Sequence, residues 1–481
     1  MISIISLRKR KLVSILAIFT IFIISSSIIG YYNGHHHIIK IVENYTPEDF
    51  SNSITSLTNK FDFSYLPGFK GISNSNNNKT SNDSLDDLDI NGFTLIPGNV
   101  KFKFLNKGNK KGTPEQILHQ NMKDYKELLG SNPIGQPKDA ILVPPPPPEE
   151  LPSYKRANAT ILSLVRNNEL QSIGISIKRL QKKFNSKYNY PYTFLNDEPF
   201  TDRFKQRILK FTGNAPVEFI QIKPEYWEKP SFIDTVKESK EMEIMFKHDV
   251  AYAKKQSYHN MCRFYSSQFY KIPELAKYKY YWRVEPHVNF FTDINYDVFK
   301  YMETTGKIYG FTINLYDNEE SVKTLWPETI KYLNQGDNYK YINPKGSFQW
   351  LLEDLQNPKK TKFAGGYSTC HFWSNFEIGD FDFFRNEAYD NWVKYLDSTG
   401  KFYYERWGDA PVHSIGVSLF ADKDKIHFFK DIGYDHDPYT NCPNTETTQM
   451  CEIAKFSRWE HLYDQNCLMN WLHHDQPKDV Y

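Results

Sequence analysis

An excess of charge of either sign is missing from this chain of 481 residues. Its 59 Lys and Arg face 57 Asp and Glu, a formal net charge of +2. A protein that coats a polyanion needs a surplus of positive charge, so a general nucleic-acid role is excluded. Cysteine is scarce as well: five residues cannot build a disulfide scaffold. Cys262 and Cys370 stand apart, while Cys442, Cys451 and Cys467 crowd the C-terminal end. In an oxidising compartment four could pair and one would be left over, and the sequence does not say which. No internal repeat is apparent. Aromatic residues, in contrast, make up 16% of the chain, with 33 Tyr and 35 Phe. That density suits a heavily packed core and also platforms on which pyranose rings stack.

Charge is also absent from one local run. Arg8–Lys11 is a basic cluster, and the nineteen residues Leu12–Gly30 that follow carry no charge. At 1.5 Å per residue a helix of that length is roughly 28 Å long, enough for a thin bilayer. The next lysine is Lys40, so the positive-inside rule leaves the N-terminus in the cytosol and the rest in a lumen. Small residues in Ser25–Gly30 leave a cleaved signal peptide as the alternative. The run is longer than a usual signal-peptide core, which favours an uncleaved anchor. The reading is a cytosolic tail (1–11), an anchor (12–30), a lumenal stem (31–153) and a head (154–481). Within the stem, Ser73–Ser84 is too polar to bury a core and reads as disordered. Sequons at Asn44, Asn78 and Asn82 fit lumenal exposure. His35–His37 reads as incidental. Pro114–Gly130 has apolar residues at helical spacing. Pro144–Pro148 reads as a stiff spacer holding the head off the membrane.

The head opens as an α/β fold. Ala159–Arg166 reads as a buried strand, Leu170–Phe184 as a helix and Tyr192–Leu195 as a second strand. That alternation predicts parallel strands with ligands at their carboxyl ends. Tyr280–Val284 and Gly310–Tyr316 read as later strands. Three strands are followed by acids, at Asp197, Glu285 and Asp317.

Chemistry-bearing residues concentrate in two stretches, Cys370–Glu377 and Tyr403–His413. Glu377, Glu405, Asp409 and His413 are the acids and histidines a sugar-handling site needs, set among aromatic rings. Taken alone, these stretches read equally well as core helix with satisfied polar groups. Glu285, at a strand end before Pro286, is placed to hold a divalent cation against a diphosphate. His436, flanked by Asp435 and Asp437, has the mixed oxygen and imidazole surroundings that Mn²⁺ accepts. Tyr258 and Arg263 could grip sugar or phosphate oxygens, or simply pack a helix. His427 alternates with apolar residues and reads as structural.

Several long blocks then carry a resemblance. They are Phe194-Leu-Asn-Asp-Glu-Pro-Phe200, Tyr281-Trp-Arg-Val-Glu-Pro286, Cys370-His-Phe-Trp-Ser-Asn-Phe-Glu-Ile-Gly-Asp380, Tyr404-Glu-Arg-Trp-Gly-Asp-Ala-Pro-Val-His-Ser414 and Lys425-Ile-His-Phe-Phe429. In order, across about residues 154–445, they resemble the fungal α-1,2-mannosyltransferases of glycosyltransferase family fifteen, which are type II Golgi enzymes. The resemblance implies a GT-A-like head, a Rossmann-type mixed sheet flanked by helices. It implies transfer of mannose from GDP-mannose with retention, supported by Mn²⁺, to mannosylated glycoprotein acceptors in O- or N-glycosylation and wall mannan synthesis. It places Glu285 where the family's metal motif lies and His436 at the metal-binding histidine. Glu377 takes the place of the proposed nucleophile, Tyr258 that of a sugar-site tyrosine and Asp409 that of an acceptor-side acid. Arg166, at the end of the first strand, is assigned to the nucleotide, with Arg263 beside it. Glu405 and His413 become supports. His287 departs from the Asp, Gly or Asn more common there, and Thr292 from a common Cys. Two other readings stand beside this one. One is a lumenal glycoside hydrolase using Glu377 and Glu405, and the other is an inactive glycan-binding protein.

Overall fold

The computed structural model describes residues 93–94, 98–102, 112–475 and 480–481. The anchor at Leu12–Gly30, the three sequons and His35–His37 lie outside the described residues.

A short antiparallel pair, β1 (Phe93–Thr94) with β2 (Lys101–Phe102), precedes the main body. Strands β3 (Ala159–Leu164), β4 (Tyr192–Asn196), β5 (Val217–Gln221) and β6 (Tyr280–Arg283) follow in the chain. Next come β7 (Asn289–Phe290), β8 (Tyr309–Phe311), β9 (Asn314–Tyr316), β10 (Cys370–Phe372) and β11 (Glu377–Asp380). The last three are β12 (Ile426–Phe428), β13 (Tyr434–His436) and β14 (Tyr439–Asn441). The helices that matter here are α1 (Pro114–Gly130), α2 (Leu170–Lys183), α3 (Gln256–Ser267), α4 (Glu387–Ser398), α5 (Asp409–Phe420) and α6 (Leu468–Asp475).

Seven strands form one mixed sheet in the order β12-β8-β11-β6-β3-β4-β5. Strands β3, β4, β5 and β6 run parallel, as does the β8–β12 pair, while β11 is antiparallel to both its neighbours, β6 and β8. The parallel run β5-β4-β3-β6 is what the strand–helix–strand opening predicts, and the antiparallel β11 makes the whole sheet mixed, as the resemblance implies. A sheet covered on both faces takes continuous apolar strands, and β3 and β4 are buried almost throughout. Helix α2 covers one face with Ile173, Ile177 and Leu180, one helical turn apart. Trp282, Trp350, Trp392, Trp407 and Trp471 are fully enclosed. Each large ring of this kind contributes on the order of 2–3 kcal/mol through burial. The aromatic surplus therefore goes largely into the core.

Three expectations are corrected. Gly310–Tyr316 is not one strand. It breaks at Thr312–Ile313, and β9 leaves the central sheet to pair with β10. The stretch Cys370–Glu377 is strand, turn and strand rather than helix. The third correction concerns the stem. Helix α1 forms where expected, with a Thr113–Gln116 capping box, but it does not stand off from the head. Its Tyr125 and Leu129 are buried, the Tyr125 hydroxyl donates to the Thr440 carbonyl (3.2 Å), and Asn121 donates to Gln356 (2.9 Å). Val143, just before the prolines, accepts from the Asp297 N–H at 2.9 Å. Apolar residues spaced along a helix need a partner surface, and here that surface is the head.

The cysteines resolve as Cys370–Cys467, tying β10 to the start of α6, and Cys442–Cys451. Cys262 is buried and free. His427 is buried in a ring cluster with Tyr301, Phe429 and Tyr481, as the alternation suggested.

Candidate active site

Strands β3 and β4 end at the same edge of the sheet. Beyond those ends Val165, Arg166, Asn196 and Asp197 face Tyr258 and Met261 of α3 across an open cleft. This is where ligands sit in open α/β sheets. Arg166 is exposed at its rim. The Tyr258 ring stacks on Tyr252, centroids 4.6 Å apart, and the Arg406 guanidinium lies 5.7 Å from its centre. Burial pushes the Tyr258 hydroxyl well above its ordinary pKa. It therefore stays protonated and offers a hydrogen-bond donor.

Strand β6 points into the same edge. After Arg283 the chain turns through Glu285, Pro286 and His287 into β7, and His287 sits at φ +68°. That left-handed conformation suits Gly, Asn and Asp best, which gives a backbone reason for the residues more common at that place. Because β7 pairs with β13, His436 on β13 comes back beside the turn. The His436 Nε2 lies 3.6 Å from the Glu285 Oε2, and both side chains are about one-quarter exposed. Trp373 meets His436 edge-on with centroids 5.2 Å apart. An imidazole nitrogen and a carboxylate oxygen that face each other and remain reachable fit a divalent cation. No cluster of three or more His, Cys, Asp or Glu that could hold a metal occurs among the described residues. The other ligands would then have to come from substrate and water.

Arg283 lies beneath this pair, 3% exposed. Its Nε and Nη2 both donate to the Glu285 Oε1, and its Nη1 donates to Asp409 and to the Ser374 hydroxyl. The guanidinium sits 3.7 Å from the centre of the Tyr265 ring, and Nη2 touches the sulfur of Met261, a residue of the cleft wall. Burial works against its charge, but Asp409 and Glu285 outweigh that and hold it protonated. Asp409 opens α5 behind Gly408, where the helix dipole favours an acid. Burial pushes its carboxyl upward, yet Arg283, His413 and Ser374 together hold it below the usual range.

Glu377 starts β11 opposite Arg283. It is fully enclosed. Tyr281 donates to Oε1, Tyr309 donates to Oε2 at 2.7 Å, and His413 Nδ1 reaches Oε2 at 2.7 Å. Glycine is required nearby: a Cβ on Gly379 would sit 2.6 Å from the Tyr281 ring. Its absence lets that ring lie across β11 and reach the carboxylate. The other nitrogen of His413 faces the Tyr265 carbonyl at 2.9 Å. Both ring nitrogens thus face acceptors, which an imidazolium satisfies. Burial opposes that charge, but Glu377 outweighs it and raises the histidine pKa.

The residues expected at the site divide into two groups. Tyr258 and Arg166 line the cleft, while Glu285, His436 and Asp409 form a second cluster joined to its wall through Arg283, which touches Met261. Arg263 belongs to neither. It faces α4, where its Nε and Nη2 donate to the two oxygens of Asp397 at 2.7 and 2.9 Å, and its Nη1 donates to the Glu228 carbonyl. A buried guanidinium already engaged on three acceptors is not free for phosphate, so its nucleotide assignment is withdrawn. As a nucleophile Glu377 lacks access, because no face of its carboxylate is exposed. Glu405 is equally committed, to the Thr324 N–H and hydroxyl and to the Trp407 indole. The hydrolase reading therefore loses both of its carboxylates. Arg283, which ties Glu285 to Asp409, is the residue of this cluster that the sequence does not single out. Its signal was a lone arginine inside an otherwise aromatic strand.

Known proteins share this fold and much of its sequence. The family model described as glycolipid 2-α-mannosyltransferase matches residues 109–476. The Saccharomyces cerevisiae probable mannosyltransferase KTR4 is 47% identical over 372 residues, 76% of this chain and 79% of that one. The Schizosaccharomyces pombe O-glycoside α-1,2-mannosyltransferase omh1 is 42% identical over 63% of this chain and 74% of its own length. Among solved structures, S. cerevisiae Ktr4p in complex with GDP superposes with a TM-score of 0.73 at 45% identity, covering 80% of this chain and 96% of that one. Core-mannan synthase A of Aspergillus fumigatus, in an Mn/GDP form, gives 0.66 at 41% identity over 80% of this chain and 99% of its own. The match beginning at residue 109 takes in α1, in keeping with that helix packing as part of the head. The chain belongs to the glycolipid 2-α-mannosyltransferase family, glycosyltransferase family fifteen, and is a glycosyltransferase of mixed α/β fold.

Proposed function

We propose that this chain moves mannose from GDP-mannose to the 2-hydroxyl of mannose-terminated glycoprotein acceptors, with retention of the α configuration. The observation that carries this reading is the pairing of His436 with Glu285 at 3.6 Å, linked through Arg283 to Met261 of the cleft wall. Those two residues would hold a Mn²⁺, which supplies positive charge to a departing diphosphate. Related proteins crystallised with GDP, and with Mn and GDP, support the choice of donor and ion. Arg166 at the rim binds the nucleotide, and the protonated Tyr258 hydroxyl hydrogen-bonds the donor sugar. Asp409 orients the acceptor from the N-terminus of α5. Glu377 acts through its buried negative charge rather than by attack on carbon, so the acceptor oxygen displaces the phosphate on the face it leaves. The departing phosphate oxygen takes the acceptor's proton, and no protein base is required. The head is of the GT-A-like type. The uncharged run Leu12–Gly30 anchors the chain as a type II protein of the Golgi membrane, with the head in the lumen.

The test is product analysis. The detergent-solubilised full chain, given GDP-mannose, Mn²⁺ and a panel of α-mannosides, should release GDP and extend the mannosides through α-1,2 linkages. Binding of mannosides with no GDP released would favour the inactive binder. Release of free mannose from the mannosides without GDP-mannose would favour a hydrolase.

A further inference from the structure

We infer that Arg283 is a positioning residue that couples the cation-binding carboxylate to the acceptor-side acid, so that neither is set independently of the other. The inference rests on the reading of Glu285 and His436 as the cation pair. It is drawn from the way one buried guanidinium is divided. Nε and Nη2 take a single oxygen of Glu285, which leaves the other oxygen turned toward His436. Nη1 takes Asp409, and Ser374 bonds both Nη1 and Asp409, the latter at 2.7 Å. The plane of the group is fixed by the Tyr265 ring beneath it. No single-point cation could make this arrangement, because it needs a planar fork with donors on two sides.

Two consequences follow for affinity. Without the fork Glu285 is free to rotate, and its Oε2 no longer faces His436. If Asp409 loses its charge, the guanidinium bears wholly on Glu285 and draws that carboxylate away from a cation. A change at Asp409, which does not touch the cation pair, must therefore weaken cation binding. Ser374 transmits the same effect to a smaller degree. Residues that orient a ligand carboxylate are commonly worth 10–100-fold in metal affinity.

The experiment is an electron paramagnetic resonance titration of free Mn²⁺ against the full chain in the presence of GDP, with melting temperature followed alongside. Arg283→Lys keeps the charge and removes the fork, and it should weaken Mn²⁺ binding ~10-fold. Asp409→Asn should weaken it about threefold in the native background and add nothing in the Arg283→Lys background, since neighbours acting through one residue are not additive. Unchanged Mn²⁺ affinity in Arg283→Lys, or an Asp409→Asn effect that is nil or equal in both backgrounds, would overturn the coupling. A fall in melting temperature with no change in the titration would assign Arg283 to structure alone. If Arg283→Lys does not fold, the Asp409→Asn and Ser374→Ala titrations decide, because wild-type Mn²⁺ affinity in both also overturns the inference. The underlying reading fails separately: the native chain would then bind no Mn²⁺ with GDP, or His436→Ala would bind it as well as the native chain.

Discussion

Two glutamates lie at the same edge of the central sheet and differ in every respect that matters for chemistry. Glu377 pairs across the ladder with Arg283, and Glu285 follows that arginine by two residues. The Glu285 side chain is 25% exposed and gives one oxygen to Arg283, leaving the other facing His436. Glu377 is wholly enclosed, and both its oxygens are taken by two tyrosines and a histidine. A carboxylate with an open oxygen can bind a ligand, whereas one with none can only impose charge and geometry. The comparison is broken most directly at its open end. Glu285→Ala or His436→Ala should lower turnover ~10³-fold, at the upper end of what one electrostatic group supplies. Melting temperature should stay within a few degrees, because both side chains are partly exposed. Steady-state assays with Mn²⁺ titration check this, and turnover within tenfold of wild type would remove these residues from the cation site.

The enclosed end is tested by Glu377→Gln. The amide keeps one acceptor oxygen for the tyrosines and loses the charge that holds His413 protonated. Turnover should fall ~10²-fold, and the low-pH advantage of the His413 pair should disappear. The folded-state pKa of His413 is raised. Its contribution to stability is therefore full below its unfolded value near 6.5 and is lost as pH rises through the higher folded value. Melting curves of the native chain should show that loss above pH 6.5, and those of the variant should not. Accumulation of a mannosylated Glu377 peptide in the native chain, seen by mass spectrometry, would reverse the assignment and make Glu377 the nucleophile.

Arg263 sharpens the same point from outside the site. Arg263→Ala leaves Asp397 partly buried without its cation and should cost about 3 kcal/mol of stability. The KM for GDP-mannose should not change. A KM shift of more than a few-fold, with normal melting, would return Arg263 to the donor.

Much of the fold and of the site is legible in the amino-acid sequence. The parallel opening, helix α1 and the gathering of Glu285, Asp409 and His436 follow from apolar periodicity, strand-end acids and the resemblance of long blocks. What stays hidden there is which polar groups are already spent. Glu285, Glu377 and Glu405 look alike in a sequence. Only the return of β13 beside β7, the missing side chain at Gly379 and the Thr324 contacts distinguish them. Arg263 misleads for the same reason, since its partner Asp397 lies 134 residues away. The stem boundary fails because a run of prolines resembles a spacer whether or not its neighbours pack.

A third buried carboxylate supplies the control for the other two. Asp431 is 7% exposed, and its hydrogen bonds come from the hydroxyls of Tyr481 (2.8 Å) and Tyr296 (3.4 Å). Glu377 has His413 and Asp409 has Arg283, but the nearby Lys430 only slightly offsets the burial of Asp431, and the carboxyl is pushed up to about 6. Below the unfolded value near 3.9 both states hold the proton, and the group is neutral with respect to stability. Between about pH 4 and 6 the unfolded chain ionises first, so stability falls as pH rises. Above pH 6 the folded state must bury an anion, at a cost of at most about 3 kcal/mol. Asn accepts the same two hydroxyls without the charge. Asp431→Asn should therefore raise the melting temperature at pH 7.5 and leave it nearly unchanged at pH 4. An equal gain at both values would mean that the effect is packing, and that an enclosed carboxylate in this fold needs no cation to be tolerated.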